Sequence, residues 1–414
     1  MADTLTETRH HQLLGHPTDL IGHVRSLGPL PTGSGPDWGA SFWSELSASG
    51  LAGRGGAAFP AAHKLAATRR QPGLAVLVVN GMEGEPASHK DKVLLAHSPH
   101  LVLDGASLMA RASGAQRIVV CIPVGRDRVA LAVQHAMAER QRAAYSTVPV
   151  SLVRPPDRFV AGEESALSEW MASGRPLPSY RPDKGIPLRI GKERLLVHNA
   201  ETLAHVALIG RFGAKAFRSQ GLPEEPGTML ITISGSVSQA GVVEVPCGTP
   251  LNEVVARAMP TSEVRALLVG GYAGAWVPPQ YFSTPYASIS LRTIGATAGV
   301  GVVVALGVDR CGVCETARIT HYLASQSAGQ CGPCAFGLPA IADDLLQLSA
   351  GRTDPYWQER IERRLGEVDG RGACRHPDGV VRMVRSALHV FASEVAAHRA
   401  GAPCIARQST TVVR

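Results

Sequence analysis

Between Ala48 and about Gly221, short apolar runs and helical stretches alternate, and this alternation constrains the fold more tightly than any other feature. Leu74 to Val79, Arg117 to Ile122 and Val148 to Val153 are β-type runs, and His100 to Ala112 and Asp127 to Ala143 carry helical periodicity between them. Such alternation predicts an α/β unit, a mostly parallel sheet flanked by helices. After Pro223 the character changes. Met229 to Ser234 and Gly241 to Val245 read as strands, Leu251 to Ala258 as a helix and Ala266 to Val269 as another strand, a small α+β unit. From about Asp309 the chain turns helical, with segments at Glu315 to Ser325, Ala335 to Leu348, Pro355 to Leu365 and Val380 to His398. Short breaks between four such segments predict an up-down bundle. The expected organisation is an N-terminal arm and lead-in helix (1–47), the α/β domain (48–222), the α+β domain (223–308), the bundle (309–400) and a tail (401–414).

With 414 residues, 45 % of them apolar, the chain can build several domain cores. The first residues, Met1 to Thr8, are polar and acidic where a secretory signal would be basic and then apolar. The longest apolar run, Ala298 to Gly307, is interrupted by glycine and far short of the roughly 20 residues of a membrane helix. A cytoplasmic protein is expected, reaching a membrane only through partners. The net charge of +7 comes from scattered arginines, without the basic blocks of a nucleic-acid groove. It suits solubility or docking of an acidic redox partner.

Four of the eight cysteines fall between Cys311 and Cys334, which favours a reducing compartment and a metal role. Cys331-x-x-Cys334, with Cys374 forty residues on, suits an iron-sulfur site, a zinc half-site or a redox pair. In an up-down bundle the first and third inter-helix loops share one end, so these three cysteines converge. Cys311 and Cys314 then belong at the other end as helix-start residues, about 18 Å away along a twelve-residue helix.

Four loops carry further polar chemistry. Gly53-Arg54-Gly55-Gly56-Ala57-Ala58-Phe59-Pro60 opens a helical run containing Lys64, an arrangement that admits a phosphate or a plain tight turn. Asn80-Gly81-Met82-Glu83-Gly84-Glu85-Pro86 follows a strand, where parallel sheets bind ligands. Gly162-Glu163-Glu164 and His198-Asn199-Ala200-Glu201-Thr202 each enter a helix and read equally as caps.

Taken in order with the cysteines, these segments resemble the NADH-binding flavoprotein subunit of respiratory complex I and its relatives in NAD-linked hydrogenases and formate dehydrogenases. The similarity runs from about Ala48 to His398. It implies a Rossmann-like domain for FMN, a β-grasp domain of the soluble-ligand-binding type and a four-helix iron-sulfur bundle. Hydride from NADH would pass to FMN, and single electrons would leave through a 4Fe-4S cluster. By this resemblance Gly53, Arg54, Gly55, Gly56, Lys64, Asn80, Glu83, Gly162, Glu163, His198, Asn199 and Thr202 surround FMN. Phe59, Glu85 and Glu164 face the nicotinamide nucleotide, Glu83 and Glu164 are the candidate catalytic residues, and Cys331, Cys334 and Cys374 hold the metal.

Departures from the pattern cluster at the same places. Met82 stands for an aspartate, His198 for an asparagine, Phe159 for a tyrosine and Leu65 for a tryptophan; Tyr180 is the substitute candidate for an adenine clamp. Ala328 replaces the first cluster cysteine, which leaves a 4Fe-4S cluster with a non-cysteine fourth ligand (Ser327, His376 or water), a 3Fe-4S cluster, or an empty site. The expected partners are a ferredoxin, a thioredoxin-like iron-sulfur subunit or a membrane reductase. The alternatives are a flavoprotein with another electron donor and a scaffold subunit without electron transfer.

Overall fold

A computed structural model describes residues 12–402 and Cys404, apart from positions 32, 34–36 and 182–185. The start of the expected arm and most of the expected tail lie outside the described residues.

Helices α1 (Leu20–Leu27), α2 (Trp38–Ser49) and α3 (Ala61–Arg70) lead into strand β1 (Ala75–Asn80). There follow α4 (Lys90–His97), α5 (Pro99–Ser113), β2 (Ala115–Cys121), α6 (Asp127–Arg142), β3 (Val150–Val153), α7 (Glu164–Ser173), β4 (Leu188–Ile190), β5 (Glu193–Asn199) and α8 (Ala200–Phe217). The strands form one sheet in the order β3-β2-β1-β5-β4, parallel except where β4 meets β5. Central β1 is buried along its length until Asn80, as a strand covered on both faces must be. Helix α5 lies so close to α8 that a Cβ on Gly105 would sit 1.7 Å from the Leu203 carbonyl oxygen.

The order of these strands creates the binding crevice. From β1 the chain moves outward to β2 and β3, then returns to place β5 on the other flank of β1. Ligands bind beyond the carboxyl ends of strands at such a reversal. Both strands end there on an asparagine, Asn80 beside Asn199 in register.

A second sheet is built from β6 (Thr228–Gly235), β7 (Gly241–Pro246), β8 (Val264–Val269), β9 (Ala275–Val277) and β10 (Val302–Gly307), with α9 (Leu251–Ala256) and α10 (Ser288–Thr293) between them. Its order is β7-β6-β10-β8-β9, and β10 runs parallel to β6 but antiparallel to β8. The apolar run ending at Gly307 is therefore the buried middle strand of this sheet.

The chain then folds into α11 (Gly312–Ser325), α12 (Leu338–Ser349), α13 (Trp357–Val368), α14 (His376–Val390) and α15 (Ala392–Arg399). Helix α11 packs on α12 and α14, and α13 closes against the same two. The single helix expected from Val380 to His398 is in fact two, parted at Phe391 (φ −106°, ψ 29°). Tertiary packing overrides the helical pattern there. The buried Phe391 ring stands edge-on to Trp276 at 5.1 Å and against Gly312, where a Cβ would come within 2.5 Å of it. Among the described residues no helix is long and apolar enough to cross a membrane.

Candidate functional site

The loops after β1 and β5, the start of α7, two glycine loops of the second sheet and the start of α14 enclose one cavity of about 710 Å³. That volume suits an extended cofactor together with part of a second ligand. The sequence folds this way locally because glycine permits close approaches that a side chain would block. A Cβ on Gly84 would lie 2.7 Å from the Arg158 carbonyl oxygen, and one on Gly81 2.9 Å from that of Cys121.

Of the residues expected around a flavin, Arg54, Gly55, Gly56, Asn80, Glu83, Gly162, Glu163 and Asn199 line the cavity, as do Glu85 and Met82. Asn80 joins its two front loops: Nδ2 donates to the Gly162 carbonyl at 2.9 Å, and Oδ1 accepts from Met82 N–H at 3.1 Å. Glu163 accepts from the N–H groups of Ser165 and Ala166 at 2.9 and 3.1 Å, capping α7. Asn199 caps α8 through Glu201 N–H at 3.0 Å and donates to Asp91 at 2.6 Å. Glu83 accepts from Ser88 Oγ at 2.5 Å and from the N–H groups of Asp91 and Lys92, both at 3.1 Å, so it anchors the start of α4. These side chains hold the walls of the cavity together.

Other expected residues stand outside the cavity wall. Gly53 lines a neighbouring cleft. Lys64 is paired with Glu164 and donates to the Val197 carbonyl at 2.8 Å, and both side chains border a smaller cleft beside β5. Thr202 accepts from Arg54 N–H at 2.9 Å and fixes the glycine loop. His198 is buried, which pushes its imidazole well below the ordinary range, and the nearby Lys64 adds to this. Phe59 is half-buried and stands edge-on to His63 at 6.5 Å. Tyr180 is exposed, and positions 182–185 of the expected adenine-clamp segment lie outside the described residues.

Sequence reasoning missed several wall residues. Lys90 is 1 % exposed, and its ammonium meets Glu201 at 2.7 Å, Asp91 at 3.0 Å and Asn199 at 3.2 Å. Burial alone would lower its pKa, but the two carboxylates overcome this and raise it. Arg375, Asp378 and Arg382 come from the start of α14, beside His376, which the sequence offered only as a cluster ligand. The one available signal was the Lys90-Asp91 pair just after the β1 loop, since neighbouring opposite charges at a helix start are otherwise solvated.

Glu85 is a strongly perturbed carboxyl of the wall. Burial pushes it up to about 7 against the lowering effect of Tyr272 N–H, which donates to it at 3.0 Å. That bond also ties the β1 loop to the second sheet.

Cys331, Cys334 and Cys374 come together beside this cavity. Cys334 N–H and Ala335 N–H both donate to the Cys331 carbonyl, at 3.1 and 2.9 Å, turning the C-x-x-C around one point. Burial, then Cys331 and Cys374, push the Cys334 thiol up to about 12. Cys374 also lines the cavity, so a group held by these thiols adjoins a ligand in it. His376 also lines the cavity, 5.2 Å from the Phe159 ring; Nε2 lies 2.9 Å from the Leu323 carbonyl oxygen, and among the described residues buried Nδ1 has no hydrogen-bond partner.

Two family models match the chain: the Nuo51 FMN-binding domain over residues 46–208, and the iron-sulfur binding region of NADH-ubiquinone oxidoreductase F over residues 315–398. The chain belongs to the family of complex I flavoprotein subunits. It is 29 % identical to the F 2 subunit of the NADH-quinone oxidoreductase of Rhizobium meliloti (strain 1021), over 84 % of this chain and 86 % of that one. With the F subunit of the NADH-quinone oxidoreductase of Rickettsia bellii (strain OSU 85-389) it shares 26 % identity over 87 % and 90 % of the two chains. Among solved structures, an NAD+-reducing [NiFe]-hydrogenase in the H2-reduced state matches with a TM-score of 0.79 and 30 % identity. The match covers 87 % of this chain but 63 % of that one, so the chain spans less than two thirds of the hydrogenase polypeptide.

The structure accommodates what membership in this family implies. The cavity has the size and the glycine backbone for FMN, and the three converging thiols are donors suited to iron-sulfur chemistry. The protein is an FMN- and iron-sulfur-dependent oxidoreductase that passes electrons between NAD(H) and a one-electron carrier.

Proposed function

We propose that residues 48–222 form a Rossmann-like flavin domain, residues 223–308 a β-grasp domain, and residues 309–400 a four-helix iron-sulfur bundle extended by α15. The observation that carries the functional reading is the shared wall: Cys374 belongs both to the cysteine group and to the cavity that the β1 and β5 loops define. Electrons therefore have a short route from the cavity to the bundle. FMN supplies the step from hydride to single electrons.

The protein's part is position and charge. Gly55, Gly56, Asn80, Gly162 and Asn199 would pack around the flavin, and Glu83 and Glu163 hold the two loops that face it. Glu85, on the same wall, would meet the nicotinamide nucleotide. Lys64 and Glu164, locked to one another behind β5, would act on the site by fixing the start of α7 rather than by contact. Cys331, Cys334 and Cys374 would supply three cluster ligands. His376 could offer only Nδ1 as a fourth, since Nε2 faces the Leu323 carbonyl. The partner would be a ferredoxin or a thioredoxin-like iron-sulfur subunit, with any membrane contact made through such partners.

Cys374→Ser tests this reading. The variant should keep its flavin and its bleaching by NADH, while reduction of a one-electron acceptor falls at least tenfold. An unchanged acceptor rate would show that electrons do not leave through the bundle cysteines.

A further inference from the structure

Cys311 and Cys314 are not bystanders at the far end of the bundle. Cys311 caps the start of α11, Cys314 sits one turn on, His398 ends α15 and Cys404 follows it, so the first and last helices of the bundle meet at these side chains. Their four ligating atoms all lie within 4.8 Å of one another. Cys311 Sγ is 3.3 Å from His398 Nε2, and Cys314 Sγ is 3.5 Å from Cys404 Sγ. Cys311, His398 and Cys404 are buried.

We propose that these four residues bind one tetrahedral zinc ion, separate from the flavin and from the cysteines beside it. With zinc-sulfur bonds of about 2.3 Å and zinc-nitrogen bonds of about 2.0 Å, tetrahedral ligands stand roughly 3.8 Å apart for two sulfurs and roughly 3.6 Å for sulfur and nitrogen. The Cys311–His398 and Cys314–Cys404 separations are close to these values, and with no pair beyond 4.8 Å one ion can reach all four after small side-chain shifts. An iron-sulfur cluster would hold its ligand sulfurs further apart, because each cysteine ligates an iron at a corner of the core. A disulfide is a different object again, since 3.5 Å between the Cys314 and Cys404 sulfurs far exceeds the ~2.05 Å of an S–S bond.

Cys314 N–H donates to Cys311 Sγ at 3.4 Å, and both cysteines stand at the N-terminal end of α11, where the helix dipole favours negative charge. Three cysteines and a histidine that leave no open position describe a structural site rather than a catalytic one. Glu394 extends the same junction: it accepts from Gly312 N–H at 2.8 Å and pairs with Arg265 of β8. The metal thus clasps the end of the chain onto the start of the bundle and, through Glu394, onto the second sheet.

The test is metal analysis of the full-length protein purified without chelator, with zinc, iron and flavin counted together. The proposal expects about one zinc per chain in addition to iron. Cys404→Ala and His398→Asn should each lower zinc at least tenfold and leave FMN and iron unchanged, the retained FMN reporting that the variants fold. Replacing the metal with cobalt(II) should give the intense visible bands of a tetrahedral thiolate complex, a readout that needs no variant. Absence of zinc from the native protein with no cobalt spectrum would overturn the proposal. So would loss of iron in place of zinc in the two variants, or a Cys314–Cys404 pair that resists alkylation until reduced.

Discussion

Replacing Glu85 with glutamine should change how stability depends on pH, and the structure sets the size of the change. Burial raises the Glu85 carboxyl from its ordinary 4.5 to about 7, so the folded protein favours the protonated form more than the unfolded chain does. A carboxyl raised in this way contributes stability that is complete below 4.5 and is lost as pH climbs through about 7. Between pH 5 and pH 8 this linkage amounts to about 2–3 kcal/mol, at ~1.36 kcal/mol for each tenfold difference in proton affinity. Glutamine is neutral throughout and keeps an acceptor for Tyr272 N–H. Glu85→Gln should therefore gain on the wild type by that amount as pH rises. Urea unfolding of both proteins across this range, at equal flavin content, measures it. Glu244 is also raised to about 7 by burial, but it is present in both proteins and cancels in the difference. A difference between the two that stays flat with pH would refute the reasoning.

Three further outcomes follow from the same geometry. Gly84→Ala places a methyl group 2.7 Å from the Arg158 carbonyl oxygen, which must push the two front loops apart; flavin content should fall at least tenfold on absorbance. Lys90→Met leaves Asp91 and Glu201 buried without their cation and should destabilise the fold by about 3–5 kcal/mol in urea unfolding, where a loss below about 1 kcal/mol would contradict the burial. Cys331→Ser should strongly lower bound iron and sulfide, whereas Cys311→Ser should leave both intact; equal losses would show that the two cysteine groups are one site.

The parallel core was legible in the sequence because β1, β2 and β3 are apolar runs separated by periodic helices. The position of β5 was not, since only the return of the chain to the other side of β1 reveals the crevice. Motif order brought out the loops of the cavity, but not how each side chain is used: Glu83, Glu163 and Asn199 spend hydrogen bonds on helix starts, a role their spacing could not separate from ligand contact. Lys90 stayed hidden because α4 has no clear apolar stripe, and a lysine is rarely expected to be buried. Cys334 stands beside Cys331 and Cys374, whereas Cys311 and Cys314 group with His398 and Cys404. Cys404, ninety positions from Cys314 in the chain, carried no local signal of its role.

The central claim is that this protein moves electrons between NAD(H), FMN and an iron-sulfur group held beside the flavin cavity. Anaerobic purification followed by absorbance spectra before and after NADH, with flavin, iron and sulfide quantified, tests it most directly. The account predicts bound flavin and cluster, both bleached by NADH. Protein that holds neither cofactor after reconstitution, or holds both and shows no response to NADH, would contradict it.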